Sequence, residues 1–276
     1  MSPSIHRANI HDSDVRYLRL GTGTPVVLLH TLRTQLEYFR PLIDHLDTTR
    51  VEVVAPDLPG HGESDAPRVD YSARYFTDAV EALLEACDVR DAILVGESIG
   101  GAIALGLAAR ANPRVAQVLA LNPYDYGRGG GIRRSSPLNY ALFTAMLLPM
   151  IGPLIAHGET KTILRLVMAG GVTDPRKLSG ELIDDMSRCG SLPGHPRAFR
   201  SLSLQWRSWI DARSAYAKIS VPVTLAYGDK DWSRPPEREA NTNAIPGTHA
   251  SILQGTGHFS CLEKPGEIAQ LIMTAV

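Results

Sequence analysis

The stretch Ile93-Leu94-Val95-Gly96-Glu97-Ser98-Ile99-Gly100-Gly101-Ala102 constrains this chain more than any other. A run of apolar, partly β-branched residues ends in Gly-x-Ser-x-Gly, and small and apolar residues continue at helical spacing through Ala102, Leu105 and Ala109. A buried strand has to stop, turn sharply and enter a helix there, with Ser98 at the apex. Gly96 and Gly100 let the backbone pass close to itself where a Cβ would clash. The turn pushes the Ser98 hydroxyl out of the sheet edge, at the positive end of the following helix.

Around this stretch the chain alternates strand and helix patterns. Residues 5–10 and 14–20 read as an antiparallel ribbon at a sheet edge, followed by strands at Pro25–His30, Val51–Ala55, 93–95 and Val115–Leu121. Helices are expected at Tyr38–Leu46 and Tyr71–Cys87. After Leu121 the alternation breaks: 138–156, 160–169, 175–188 and 196–211 carry helical patterns and no strand intervenes. It resumes with a strand at Pro222–Tyr227, a helix near 235–243, a strand at 248–253 and a closing helix from Pro265 to Thr274. This predicts an α/β fold, a mostly parallel sheet flanked by helices on both faces. The block 122–215, inserted after the sixth strand, is too long for a loop and is expected to form a helical cap over the sheet's carboxyl edge. The core is then 1–121 together with 216–276, and Gly127-Arg128-Gly129-Gly130-Gly131 is the expected hinge into the cap.

Composition narrows the function. A net charge of -1 makes no electrostatic case for nucleic acid or an anionic membrane. Cys87, Cys189 and Cys261 are widely spaced, with no C-x-x-C pair, which suits a reducing cytoplasm rather than a disulfide or zinc framework. Met1 to Asp14 is polar and shows no secretory signal. The greasiest segment, Leu138 to Ala156, contains Pro149 and Pro153 and reads as a broken, protein-covered helix rather than a membrane span.

In doubly wound sheets, ligands bind outside the carboxyl ends of the strands. Three strand exits, in chain order, carry Ser98, then Gly228-Asp229-Lys230-Asp231-Trp232, then Gly255-Thr256-Gly257-His258-Phe259. A serine hydroxyl needs a base within hydrogen-bond reach, and the base needs a carboxylate to hold its tautomer. Asp229 and Asp231 lie in one loop, and either could serve.

Four pieces together resemble the α/β-hydrolase superfamily over nearly the whole chain: Val27-Leu28-Leu29-His30, Asp57-Leu58-Pro59-Gly60-His61-Gly62-Glu63-Ser64, Gly96-Glu97-Ser98-Ile99-Gly100-Gly101, and Gly257-His258 with the upstream Gly228-x-x-Asp231. The resemblance implies Ser98 as nucleophile, His258 as base and Asp231 as the acid. It also implies an oxyanion hole from the backbone N–H groups of Ile99 and Leu32, each donor worth about 2.7–4 kcal/mol. Relatives commonly read His-Gly where this chain reads His30-Thr31-Leu32-Arg33, so the hole is expected to be shaped differently or assisted by the Thr31 hydroxyl. Dehalogenase and epoxide-hydrolase branches of the superfamily place an aspartate at the elbow, where this chain has Ser98.

Thr31, Arg33, Phe143, Met146 and Trp206 are the candidates for substrate contact, Arg33 being set against the plainer reading of a solvent-facing side chain. The apolar surplus of the cap suggests a mainly apolar pocket. Trp209 is expected on its wall or in the cap's own packing. His61 is expected to organise its turn, Glu97 to make buried hydrogen bonds and Cys261 to pack. A phosphate grip by Arg128, Arg133 and Arg134 lacks the strand–loop–helix setting of a P-loop. The expected activity is cofactor-independent and metal-free hydrolysis of a small-molecule carboxylic ester, thioester or lactone. A carbon–carbon bond hydrolase or lyase on the same triad, and a non-catalytic receptor, are the alternatives. Self-association into a homo-oligomer is left open.

Overall fold

The computed structural model describes residues 4–126 and 131–276. Eight strands form one sheet: β1 (Ser4–Ile10), β2 (Ser13–Gly21), β3 (Thr24–Leu29), β4 (Val51–Pro56), β5 (Ala92–Glu97), β6 (Val115–Leu121), β7 (Val223–Gly228) and β8 (His249–Leu253). Their spatial order is β1-β2-β4-β3-β5-β6-β7-β8. β1 and β2 pair antiparallel at one edge, β2 pairs antiparallel with β4, and every other pairing is parallel.

The central strands are buried on both faces, and alternate residues feed two separate cores. Val27, Leu29, Val54 and Leu94 join the core packed under the helices Ala73–Ala86 and Ile99–Ala108. Val26, Leu28, Val53, Ile93 and Val95 point the other way, toward the closing helix Pro265–Ala275. This is the period-two consequence of a pleated strand covered on both sides. The helix Ala73–Ala86 starts where Ser72 accepts a hydrogen bond from the Tyr75 N–H, an N-cap.

Between β6 and β7 the described residues form helices and no strand: Pro137–Met146, Gly152–His157, Lys161–Ala169, Gly180–Gly190, His195–Leu204 and Trp206–Asp211, with 3-10 turns among them. The greasy run 138–156 is two helices, the second opening on Gly152-Pro153, because a proline interior to one helix would lose a hydrogen bond and clash. The expected helix at 38–46 is shorter than its pattern, a 3-10 turn at Leu36–Phe39 and one helical turn at Arg40–Ile43. A third small apolar cluster, Met146, Ala156 and Phe199, sits within this helical block. Of the expected hinge, residues 127–130 lie outside the described residues. No helix among the described residues is long and apolar enough to cross a membrane.

Candidate active site

β3 and β5 are neighbours, with Leu29 opposite Gly96. The loop after β3 therefore lies beside the turn after β5. The approach is close enough that a Cβ at Gly100 would strike the Leu29 carbonyl, and one at Gly96 would strike the Gly100 carbonyl. Ser98 takes the strain between them. Its φ is 58° and its ψ is -115°, a region that costs a residue with a Cβ about 1–3 kcal/mol. The turn is pinned by its own backbone: Ser98 N–H donates to the Leu121 carbonyl at 2.9 Å, and Tyr124 N–H donates to the Ser98 carbonyl at 2.9 Å.

The exits of β7 and β8 meet on the same carboxyl edge of the sheet. His258 Nδ1 and Asp231 Oδ1 are 2.5 Å apart, and both side chains are buried. Burial by itself would raise the Asp231 pKa, but the charge of His258 and hydrogen bonds from His258 and Ser233 outweigh it and hold the carboxyl below its ordinary value. Ser233 donates to Asp231 Oδ2 from its N–H at 2.9 Å and from its hydroxyl. With Nδ1 engaged, Nε2 is the remaining ring nitrogen; it is buried and has no partner among the described residues. Asp229 does not touch His258 and instead accepts from the Thr256 N–H at 3.0 Å. Asp125, the buried acid after β6, is bonded to Tyr216 and Asn241. Burial pushes its pKa up to about 6.

A cavity of about 710 Å³ opens onto Ser98 and Ile99. Thr31, Leu32, Arg33, Phe143 and Trp206 line it, together with residues that sequence reasoning did not single out as contacts, among them Glu159, Phe199, Trp232 and Phe259. Met146 does not belong to that wall. It is 2% exposed and packs on Ala156 and Phe199, in the inserted helices' own cluster. Trp209 is fully buried against Phe76, on the core side.

Arg33 corrects a plainer expectation: it does not face solvent. Its φ is 66°, so the strained position of this loop falls two residues after Thr31. Its guanidinium is paired with Glu159 of the helical block between β6 and β7 and lies 4.9 Å from the centre of the Phe199 ring. Burial lowers its pKa to about 10. Thr31 is held by its carbonyl, which accepts from the Thr34 hydroxyl at 2.9 Å and lies 2.8 Å from His30 Nδ1. His30 Nε2 accepts from the Leu58 N–H, which assigns the ring proton to Nδ1 and the donor role to it. Burial lowers the His30 pKa and keeps the ring neutral.

The neighbouring polar groups are structural. Glu97 accepts from the Tyr38 hydroxyl and the Cys261 N–H, and burial pushes its pKa up to about 8. His61 packs against His30 and Phe76, and burial holds it well below the ordinary histidine value. Cys261 is buried and free, as are Cys87 and Cys189. Arg134 forks onto Glu237 with two bonds of 2.7 Å, and Arg133 lies over Tyr140 and donates to the Thr144 hydroxyl, so neither is held for a phosphate; Arg128 lies outside the described residues. No cluster of His, Cys, Asp and Glu able to hold a metal ion occurs among the described residues. Asn122, which no motif announces, donates to the His258 carbonyl at 2.9 Å and accepts from the Gly228 N–H at 2.8 Å, linking the acid and histidine loops.

Known proteins of similar sequence and shape carry several hydrolase names. A haloalkane dehalogenase of Psychrobacter cryohalolentis is 27% identical over 95% of this chain and 88% of its own length. A methyl ester esterase of pimeloyl acyl-carrier protein from Neisseria meningitidis serogroup A is 28% identical over 89% and 74%. The crystal structure of Cfl2 from Burkholderia cenocepacia superposes with a TM-score of 0.87 at 20% identity, covering 100% of this chain and 96% of that one, a likeness of fold. The family model described as the alpha/beta hydrolase family matches residues 26–271. This chain belongs to the alpha/beta hydrolase family.

Proposed function

We propose that this protein is a serine hydrolase that cleaves a mainly apolar carboxylic ester, thioester or lactone through an acyl-enzyme on Ser98. The observation that carries the reading is the pairing of His258 Nδ1 with Asp231 at the β8 and β7 exits, on the same carboxyl edge of the sheet as a strained Ser98. A carboxylate on Nδ1–H leaves the Nε2 lone pair as the basic site of the ring. His258 then takes the Ser98 proton as Oγ attacks the carbonyl carbon, and returns it to the leaving oxygen or sulfur. Water repeats the sequence on the acyl-enzyme and releases the acid.

The negative charge that develops on the carbonyl oxygen meets the N–H groups of Ile99 and Leu32, donors fixed before reaction. Arg33, held by Glu159 and Phe199, keeps the Leu32 loop in place without the glycine that relatives have. The cavity size and its wall of Phe143, Phe199, Trp206 and Phe259 support a medium-sized apolar acyl or alcohol group. The dehalogenase likeness does not carry over its chemistry, since Ser98 stands at the elbow in place of a carboxylate.

A fluorophosphonate probe and an acyl-chain ester series test the reading together. The expected result is an adduct on Ser98 and turnover that favours uncharged chains. No adduct on Ser98 overturns it. An adduct without ester, thioester or lactone turnover, but with cleavage of a vinylogous diketone, replaces it with carbon–carbon bond hydrolysis.

A further inference from the structure

We propose that Trp232, held by the cap segment Gly170–Thr173, is a positioning residue for His258, so that cap docking sets the stance of the base. This rests on the reading of His258 as the general base.

The segment follows the cap helix Lys161–Ala169 and runs against the histidine loop. The Gly171 carbonyl accepts from the His258 N–H at 2.7 Å and the Phe259 N–H at 3.3 Å. The Gly170 carbonyl accepts from Trp232 Nε1 at 2.9 Å. Trp232 in turn stacks on the His258 imidazole, with ring centres 3.9 Å apart and planes at 18°. Asp231 fixes the direction of the ring through Nδ1, and the indole fixes its plane. Neither constraint alone leaves one orientation.

One turn further, Glu263 spans the seam. Its Oε1 accepts from the Thr173 N–H at 2.6 Å and also from the Thr173 hydroxyl, while its Oε2 accepts from the Gly257 N–H at 2.6 Å. Bonds to a carboxylate are the stronger kind, because the acceptor carries a charge. The backbones are pressed together: a Cβ at Gly171 would collide with the Phe259 ring, and one at Gly257 with the Gly171 carbonyl. The base loop is thus built against the cap as much as against the sheet.

Three variants separate positioning from folding. Trp232→Phe keeps a stacking face and loses the N–H, Trp232→Leu loses both, and Glu263→Gln loses the seam's charge. Each is measured for circular dichroism, for kcat and KM on a small activated ester, and for the far-downfield proton resonance of the His258–Asp231 hydrogen bond. Loss of one neutral hydrogen bond predicts a kcat fall of about 2–10-fold for the Phe variant. A misplaced ring predicts about 100-fold for the Leu variant, with KM moving far less and the downfield resonance broadened or lost. Folded Leu and Gln variants with unchanged kcat and an unchanged resonance overturn the proposal. If the Leu variant does not fold, the Phe and Gln variants decide by the same two readouts. A wild-type protein that forms no adduct on Ser98 overturns the hydrolase reading instead, while the resonance still reports on the stack.

Discussion

The guanidinium of Arg33, on the loop after β3, is paired across the cavity wall with the carboxylate of Glu159, which the helical block between β6 and β7 supplies. Both side chains are largely buried, 11% and 16% exposed. Removing one partner leaves an uncompensated buried charge, worth about 3–5 kcal/mol of stability. Arg33→Met and Glu159→Leu are each expected to lower the unfolding free energy by about that much. The double variant is expected to recover most of the stability but not the turnover, because the Leu32 loop loses its clamp. Urea melts beside ester kinetics check this. A double variant with wild-type turnover would show that the pair serves packing alone.

Ser98→Ala is expected to abolish turnover of any ester the wild type cleaves while the protein stays folded. Because the strain at Ser98 belongs to its backbone angles, alanine inherits it and glycine escapes it. Ser98→Gly is therefore expected to melt no lower than Ser98→Ala, strain relief of about 1–3 kcal/mol exceeding an entropy loss of about 0.5–1 kcal/mol. Scanning calorimetry on the two variants decides it. Substantial residual turnover in either would mean that the nucleophile is another residue.

The two aspartates of one loop are expected to separate cleanly. Asp231→Asn presents the wrong partner to Nδ1 and favours the wrong tautomer, a loss of about 10⁴-fold in kcat. Asp229→Asn removes only a bond to the Thr256 N–H and leaves the His258 pairing intact. Steady-state kinetics on both variants test the assignment, and equal losses would contradict it.

Glu97 gives the fold a pH dependence of its own. Burial lifts its pKa from 4.5 to about 8, so the folded protein holds a proton there that the unfolded chain has released. This contribution is complete below pH 4.5, declines above it and is lost as the pH rises through about 8. Asp125, raised to about 6, adds to the same trend at its lower end. Glu97→Gln is expected to flatten stability against pH between 4.5 and 8, as read from urea midpoints. An unchanged slope would mean that Glu97 is ionised in the folded protein.

Phe143 and Met146 lie on one cap helix but have different surroundings. Met146→Ala is expected to cost about 2–5 kcal/mol of stability, as a large-to-small change in a packed cluster. Its acyl-chain preference should stay as in the wild type. Phe143→Ala, on the cavity wall, is expected to shift that preference toward bulkier chains. A chain-length shift in Met146→Ala would place that side chain back in the substrate's path.

The sheet was legible because strands buried on both faces are nearly continuous apolar runs, such as Pro25–Leu29 and Ile93–Val95, and turn residues punctuate them. The elbow was legible because Gly96, Ser98 and Gly100 are adjacent in sequence, and local crowding dictates their type. The acid loop was legible as a loop; its spacing left Asp229 and Asp231 both open, and the family resemblance pointed to Asp231, the one that lies against His258 Nδ1. Met146 and Phe143 are both apolar and three residues apart, and periodicity cannot tell a side chain that faces its own cap from one that faces the cavity.

By itself, then, the sequence determined a mostly parallel α/β sheet, the place of the helical insertion and the turn that carries Ser98, since each follows from local periodicity or local crowding, while the hydrolase family followed from the resemblance of four motifs. Only the tertiary structure decided that Arg33 is buried and paired with Glu159 and that Trp232 lies flat on the imidazole beneath the Gly170 carbonyl. Those relationships join residues far apart along the chain. Their energy depends on burial and on angles fixed only when the cap, the strand ends and the histidine loop pack together.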